Sequence, residues 1–192
     1  IEVEITPKLA GFKDEIRLNP ALFARVKSVY ENKDKFKLDP YQDFLLENLY
    51  KEFVRFGANL SPEDQEKLKK INQELSLQSV KFNQNVLAEN NDYKMFVGEK
   101  EIAGLPQSLV ASAAQTAKDA GEEGKYAFTT QRPSVFPFIQ YSPDRDLRRK
   151  LFNAYCNRGN NGNEYDNNKI LAQIIALRAE RAKLLGYKTH AH

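Results

Sequence analysis

Three residue pairs in the first third of the chain constrain its fold more than any other feature. Asn19–Pro20, Asp39–Pro40 and Ser61–Pro62 each place a side-chain acceptor directly before a proline. Asn, Asp and Ser are favoured N-caps, and proline is tolerated at the first helical position because the N–H it lacks has no partner there. The pairs therefore predict three helix starts.

Apolar residues recur at helical spacing after each pair and also before the first one. The four predicted faces are Ile5, Leu9, Phe12 and Ile16; Leu22, Val26 and Val29; Tyr41, Phe44, Leu45, Leu49 and Phe53; and Leu68, Ile71, Leu75, Phe82 and Val86. Spacings of three and four residues place side chains on one side of an α-helix. We expect Gly57 to end the third helix and the fourth to run from Ser61 to about Ala88.

The middle of the chain changes character. Tyr93–Val97 and Lys125–Thr130 are short β-type runs, which either pair as a small hairpin or flank the helix between them. That helix is expected to follow the turn Gly104–Pro106 and to end at Gly121. Pro133 and Pro137 predict a turn.

The last third is predicted to be helical again. Ser142–Pro143 is expected to cap a helix with Leu147, Leu151 and Tyr155 towards the core, and an Asn/Gly-rich loop follows at 157–163. The final helix, from about Asp166 to Leu185, carries apolar residues on more than one side, so it needs several neighbours or a surface outside this chain. The fold class predicted is mainly α, a multi-helix array with a minor two-stranded β element. The regions expected are 1–90, 91–141 and 142–192.

Composition excludes several classes of protein. The chain is 41% hydrophobic and 29% charged, which suits a folded domain, and we expect most of its 12 Phe and 9 Tyr in the core. No apolar run approaches the roughly 18–20 residues of a membrane-spanning helix. The net charge of +3 is spread among acids, so neither nucleic acid nor membrane is an expected partner. A cytoplasmic location is expected, or a periplasmic one if a signal peptide has been removed.

The residues that carry metal or nucleophilic chemistry are scarce. The two histidines, His190 and His192, are two positions apart at the end of the chain, unlike the i, i+4 pair of a zinc helix. Cys156 is the only cysteine, so no disulfide can form within this chain, and we expect its thiol to be in the core or half-buried. A structural zinc site needs about four protein ligands and a catalytic one about three, so no zinc site is expected.

Three other segments have both a functional and a structural interpretation. Gly121–Lys125 has some likeness to a phosphate-binding loop but lacks the P-loop spacing, so a turn is favoured. Asn59–Ser61 matches a glycosylation sequon, although Ser61 is better used as a helix cap. Asp144–Lys150 could hold a peptide carboxylate or a phosphate, but acids at a helix start and arginines one turn later are favoured.

Seven short segments carry a family resemblance. They are Arg55–Leu60, Ile71–Ser76, Phe82–Asn85, Ala103–Pro106, Asp144–Arg148, Asn168–Ile170 and Leu177–Tyr187. In this order and spacing they resemble the thimet oligopeptidase family of zinc peptidases, and within it the bacterial peptidyl-dipeptidases. The resemblance runs from about Pro7 to the end of the chain.

The resemblance implies a role without chemistry of its own for this chain. The family's zinc ligands and general base lie in an H-E-x-x-H helix and a further glutamate, which this sequence lacks. We therefore assign no catalytic, cofactor-binding or metal-binding residue here and expect the non-catalytic N-terminal piece of a longer protein. That protein would bind one zinc ion and remove dipeptides from the C-terminal end of short peptides.

Two partners follow from the resemblance: the missing catalytic part of the same polypeptide, and short peptide substrates. Helices of this region would wall a deep channel that admits short peptides and excludes folded proteins. The alternative left open is a stand-alone helical module that binds peptides or proteins without catalysis.

Overall fold

A computed structural model describes residues 1–192, apart from the side chain of Val3. The described residues form eight α-helices and two short strands. In order these are α1 (Glu2–Arg17), α2 (Pro20–Glu31), α3 (Pro40–Arg55), α4 (Pro62–Asp92), β1 (Met95–Val97), α5 (Gln107–Asp119), β2 (Tyr126–Phe128), α6 (Arg132–Tyr141), α7 (Arg145–Cys156) and α8 (Asn168–Leu184), with 3₁₀ turns at Lys33–Lys35 and Glu99–Ile102. The predicted fold class is confirmed. No helix in the described part of the chain is long and apolar enough to span a bilayer.

The chain divides into two compact units. Unit 1 comprises residues 1–81 and 170–192, and unit 2 comprises residues 82–169. The three regions expected from the sequence stay a prediction.

The predicted helix starts in unit 1 are confirmed, and side chains form the caps. Asn19 Oδ1 accepts a hydrogen bond from the backbone N–H of Leu22 at 3.0 Å. Asp39 accepts from the N–H of Gln42 at 2.9 Å, and the Gln42 side chain accepts from the N–H of Asp39 at 3.1 Å, which completes a capping box. Ser61 Oγ accepts from the N–H three residues later at 3.1 Å. These bonds satisfy N–H groups that have no partner within the helix.

The α2–α3 pair of unit 1 is held by aromatic packing. Phe23 is buried, and its ring lies 5.9 Å from that of Tyr50 and 5.8 Å from that of Phe53. Tyr30 stacks on Tyr50 with ring centroids 4.0 Å apart. Arg17 of α1 lies over the Phe53 ring at 5.4 Å, a cation–π contact.

The expectation that most Phe and Tyr residues lie in the core is wrong. Phe23, Phe53, Phe128 and Phe138 are buried, whereas Phe12, Phe36, Phe44, Phe96, Phe136, Phe152, Tyr41 and Tyr141 are exposed. On α1 the predicted face of Ile5, Leu9, Phe12 and Ile16, here called the α1 stripe, is 42–57% exposed, while Asp14 and Leu18 are buried. Periodicity identifies residues that share a face, but it does not say which face meets the rest of the protein.

Unit 2 is built around a small antiparallel sheet. β1 pairs with β2 in the register Met95–Phe128 and Val97–Tyr126, so the two strands pair although α5 lies between them in sequence. The core consists of Met95, Val97, Leu109, Ala113, Phe128, Val135, Phe138 and Leu151. The rings of Phe128 and Phe138, both fully buried, lie 4.4 Å apart.

Two local predictions in unit 2 are wrong. Pro133 and Pro137 do not form a turn but lie within α6, where Pro133 occupies the first helical turn and loses no hydrogen bond there. Ser142–Pro143 does not cap α7. The cap is Asp144, whose carboxylate accepts from the N–H groups of Asp146 at 2.9 Å and Leu147 at 3.0 Å. The Asp144 carboxylate is within hydrogen-bonding distance of these N–H groups, and its negative charge is also stabilised by the positive end of the helix dipole.

Candidate functional site

The two histidines considered for metal binding lie after α8, and both are exposed. His192 Nδ1 is 2.8 Å from the hydroxyl of Thr189. Among the described residues, no group of three or more His, Cys, Asp and Glu side chains is placed to hold a metal ion. The side chains of this chain therefore do not fit the zinc ion that the family resemblance implies for a longer protein.

Cys156 is exposed, so the expectation of a core or half-buried thiol is wrong. Leu151 is the buried residue of α7, and Leu147 and Tyr155 pack against the same core. These three residues are spaced by four and share one face. Cys156 is one residue further, about 100° around the helix, and so points away from the core.

The charged segment Asp144–Lys150 is engaged in forming and stabilising the start of α7. Asp144 is the cap, and Arg149 Nη2 lies 3.5 Å from Asp146 Oδ1 on the exposed side of the helix. Arg148 Nη1 donates to the backbone carbonyl of Ser142 at 2.5 Å. The favoured structural interpretation is confirmed, as is the turn at Gly121–Lys125.

The main convergence of charged side chains in unit 1 is a hollow between α1, α4 and α8, here called the three-helix cleft. Its volume is about 400 Å³. Its charged, amide and imidazole side chains are Lys13, Asp14, Asn72, Arg178, Arg181 and His190, and Ser76 and Ser79 also line it. Three of these carry a fixed positive charge, and one is an acid.

The arginines reach the cleft because of their spacing on α8. Ile174, Arg178, Arg181 and Leu185 are separated by four, three and four residues and so lie on one face of the helix. Ile174 is buried and Arg181 and Leu185 are partly buried, whereas Arg178 is exposed, so Arg178 lies at the edge of the face that packs inward. The inward face is therefore apolar at Ile174 and cationic two turns later, at Arg181.

Asp14 is the buried acid of the cleft, with 4% of its surface exposed. Burial raises the pKa of its carboxyl group, while hydrogen bonds from Asn72 Nδ2, at 3.0 and 3.3 Å, and the charges of Arg181 and Lys69 oppose that shift. Desolvation is the largest contribution, so the pKa stays above its ordinary value. One carboxylate faces three cationic side chains, so Asp14 compensates only part of the positive charge of the cleft.

A smaller hollow of about 170 Å³ adjoins the cleft and shares Arg181 and His190 with it. Arg55 and His192 also line this second hollow, which contains no acidic residue. The positive character of the cleft therefore continues towards the segment after α8.

Unit 2 contains a different polar cluster, which orders the Asn/Gly-rich loop. Glu89 of α4 is 7% exposed and accepts hydrogen bonds from the backbone N–H of Gly159 and from the side chains of Asn161 and Asn163, both at 2.8 Å. Burial by itself would raise the pKa of Glu89, but the three hydrogen bonds together hold it below the ordinary value. The carboxylate is occupied by the chain's own donors, which identifies a structural cluster.

Asn90, next to Glu89, extends this cluster. Its Oδ1 accepts from Thr130 Oγ1 at 2.8 Å and from Arg158 Nη1 at 3.0 Å. Arg158 lies 4.0 Å above the Tyr155 ring and donates to the Tyr155 carbonyl at 2.7 Å. The loop after α7 is thereby fixed to the end of α4.

The sequence interpretation missed the three-helix cleft. Its members come from distant segments, and although Asn72, Arg178 and Arg181 lie in segments that carry the family resemblance, that resemblance assigns them no role. One signal was present: Arg178 and Arg181 follow Ile174 on one face of α8, where an uninterrupted apolar face would be expected to continue. Asp14, which faces these arginines, carried no comparable signal.

Comparison with known proteins identifies relatives over the whole chain. Residues 138–192 match peptidase family M3. The chain is 34% identical to organellar oligopeptidase A, chloroplastic/mitochondrial, of Arabidopsis thaliana over 195 residues, which cover 98% of this chain and 24% of that protein. It is 31% identical to dipeptidyl carboxypeptidase of Escherichia coli (strain K12) over 192 residues, 100% of this chain and 28% of that protein.

A further relative is oligopeptidase A of Haemophilus influenzae, 37% identical over 150 residues, which cover 76% of this chain and 22% of that protein. The chain thus spans about a quarter of the length of the curated relatives it matches. The resemblance to a peptidase family, predicted from the residues, is confirmed.

Proposed function

Because this chain is related to the peptidases of family M3, we propose that it is a non-catalytic part of a longer zinc-dependent peptidase that cleaves short peptides. Its substrates would be short peptides from which dipeptides are removed at the C-terminal end, as the name of the E. coli relative indicates for that protein. The zinc ion and the residues that activate water would belong to the remaining part of the polypeptide. Within this assembly we assign the helices to the wall of the substrate channel.

Two observations together support the proposal: the relatives are about four times as long as this chain, and apolar helix faces are exposed in this chain. The α1 stripe is 42–57% exposed, and on α8 Leu171 and Ile175 are 45% and 58% exposed. Contiguous exposed apolar residues are typical of surfaces that another protein segment covers. The occupant we assign to the α8 surface is the rest of the same polypeptide.

A chimera tests this proposal directly. The 192-residue segment of E. coli dipeptidyl carboxypeptidase that aligns with this chain would be replaced by this chain, and hydrolysis of a short fluorogenic peptide would be measured with zinc present. We expect the chimera to cleave the peptide and this chain alone to be inert. A folded chimera without activity, or zinc-dependent cleavage by this chain alone, would contradict the proposal.

Substitutions on α8 test the docking surface. Leu171→Asp with Ile175→Asp should abolish activity of the chimera, because two charges would be buried against the neighbouring segment. Gln173→Asp, on an exposed position of the same helix, is the matched control and should leave activity unchanged. In the isolated chain the double variant should retain its helical circular dichroism, which separates docking from folding. Full activity of the double-variant chimera would refute the assignment of this surface.

The compartment stays a prediction. The names of two Arabidopsis relatives indicate different locations for those proteins: one name places its protein in chloroplasts or mitochondria, and the other name describes a cytosolic oligopeptidase A. We propose the cytoplasm for this protein, and fractionation of the source cells followed by immunoblotting would check it.

A further inference from the structure

We infer that the three-helix cleft of unit 1 binds an oxyanion, either the terminal carboxylate of a short peptide or a phosphate. The site consists of Arg178 and Arg181 of α8 and Lys13 of α1, which surround a hollow of about 400 Å³. The inference goes beyond the proposed function and does not depend on it, because it rests on the geometry of this unit alone.

The cations of the cleft are available to a ligand. Among the described residues, Lys13, Arg178 and Arg181 take part in no ion pair within 4.0 Å. Lys13 and Arg178 are exposed and Arg181 is partly buried, and all three line the concave surface of the cleft. Guanidinium groups present planar forks of N–H donors that match carboxylates and phosphates, so two arginines one turn apart favour this ligand class.

The position of the arginines is a second argument. Arg181 lies on the inward face of α8, in line with the buried Ile174 and the partly buried Leu185, where an apolar side chain would pack more favourably, while the exposed Arg178 lies at the edge of that face. Arg181 is partly buried and is adjacent to the second hollow, which contains Arg55 and no acid. Cations held near low-dielectric surfaces attract an anion more strongly than cations in water do.

Asp14 is the one negative charge in the cleft, so the effect of removing it on anion affinity has a defined direction. It is the only acid among the residues that line the cleft, and Asn72 holds it in place through hydrogen bonds of 3.0 and 3.3 Å. The carboxylate of Asp14 repels an incoming anion. A metal cation is not the expected ligand, because a single acid provides too few ligands for it. Removing the charge of Asp14 should therefore strengthen anion binding.

The experiment is an NMR titration of the full chain at low ionic strength. The probes are inorganic phosphate, N-acetyl-trialanine with a free carboxylate, and the C-terminal amide of the same peptide, with ionic strength matched by sodium chloride. We expect phosphate, the free acid or both to shift the backbone signals of Lys13, Asn72, Arg178 and Arg181 saturably. Phosphate alone would indicate a free phosphate ligand, and the acid alone would indicate a peptide terminus.

Matched variants identify the groups responsible. Arg178→Gln with Arg181→Gln should weaken binding about tenfold or more, the loss expected for charge-assisted hydrogen bonds. Arg149→Gln, on the exposed side of α7, is the control. It should change the dissociation constant less than about twofold, because substitutions of exposed residues far from a site have small energetic effects. Asp14→Asn should tighten binding about threefold, since a repulsive charge is lost.

Three results would overturn the inference. One is the absence of saturable shifts with phosphate and with the free acid up to about 20 mM, a concentration at which even millimolar affinity is detected. Another is equal binding of the amide and the acid without phosphate binding, since the carboxylate would then be irrelevant. The third is weaker or unchanged binding by Asp14→Asn, and this test holds even if the double arginine variant fails to fold.

Discussion

Replacing Glu89 by Gln removes one charge from a buried cluster while keeping the size of the side chain. In the native protein one carboxylate oxygen accepts from the N–H of Gly159, and the other accepts from Asn161 and Asn163 at 2.8 Å. The glutamine amide has only one acceptor oxygen. Its NH₂ group must therefore face a donor, either the buried N–H of Gly159 or the asparagine amides.

The magnitude follows from the exposure of each donor. Gly159 is buried, so an unsatisfied N–H there costs about 1–3 kcal/mol. Asn161 and Asn163 are exposed and can bond to water, and a neutral acceptor gives them hydrogen bonds about half as strong as the carboxylate does. We expect a loss of about 3 kcal/mol in the free energy of unfolding, or about 6–12 °C in Tm for a chain of this length.

The pH dependence gives an independent check of sign. The pKa of Glu89 is lower in the folded state than in the unfolded state, so its stabilisation is present above the unfolded pKa and is lost as the pH falls through the folded pKa. Thermal melts followed by circular dichroism should thus show a large difference between wild type and Glu89→Gln at pH 7. That difference should shrink as the pH is lowered below about 4.5, the ordinary glutamate range.

Glu123→Gln is the matched control, because Glu123 is exposed and lies 3.5 Å from Lys118 in an ion pair at the surface of the same unit. Such pairs contribute about 0–1 kcal/mol, so its Tm should stay close to wild type. A Glu89→Gln protein as stable as this control, or a stability difference that does not change with pH, would refute the reasoning.

Three further predictions concern stability and share the same thermal and urea assays. Phe138→Ala should lower the free energy of unfolding by about 3–5 kcal/mol, because removal of the fully buried ring leaves a cavity. Phe152→Ala, on the exposed side of α7, should lower it by less than about 1 kcal/mol. Equal losses would contradict the assignment of the core. Gly159→Ala should destabilise more than Gly162→Ala. Both have positive φ, but an added Cβ would meet a side-chain atom at 2.8 Å only at position 159, and indistinguishable melts would disprove this. Asp14→Asn should raise Tm at pH 7. The pKa of Asp14 is raised in the folded state, so ionisation of its carboxyl group destabilises the fold, and the gain from removing that group should vanish below about pH 4. A lower Tm of the variant at pH 7 would contradict this.

Features set by neighbouring residues were predictable from the sequence. The caps at Asn19, Asp39 and Ser61 use hydrogen bonds to N–H groups at most three residues away, so the dipeptides with proline were sufficient. The helix that Gly104–Pro106 begins and the turn at Gly121–Lys125 depend on local backbone preferences in the same way. The turn predicted at Pro133 is wrong because proline favours both turns and first helical turns, and only the core contacts of Val135 and Phe138 select the helix.

Features set by distant residues were not predictable. The three-helix cleft joins side chains from residues 10–14, 56, 72–79, 178–181 and 190, and no local pattern links these positions. The hydrogen bonds of Glu89 reach 70–74 residues along the chain. The α1 stripe was recognised as one face, but its exposure depends on the packing of α1 through Asp14 and Leu18. The absence of assigned catalytic residues stays a prediction.

The position of Cys156 at the outward end of α7 makes the protein convenient for single-site labelling. Within these 192 residues a maleimide dye will attach at one sulfur, since no other thiol of this chain competes for it. Because Cys156 immediately precedes the loop that Glu89 and Asn90 hold, a fluorophore there will sense loosening of that loop without any engineered substitution. Storage under air carries the opposite consequence: two chains can be joined through this sulfur, so a reducing agent is required to keep them separate.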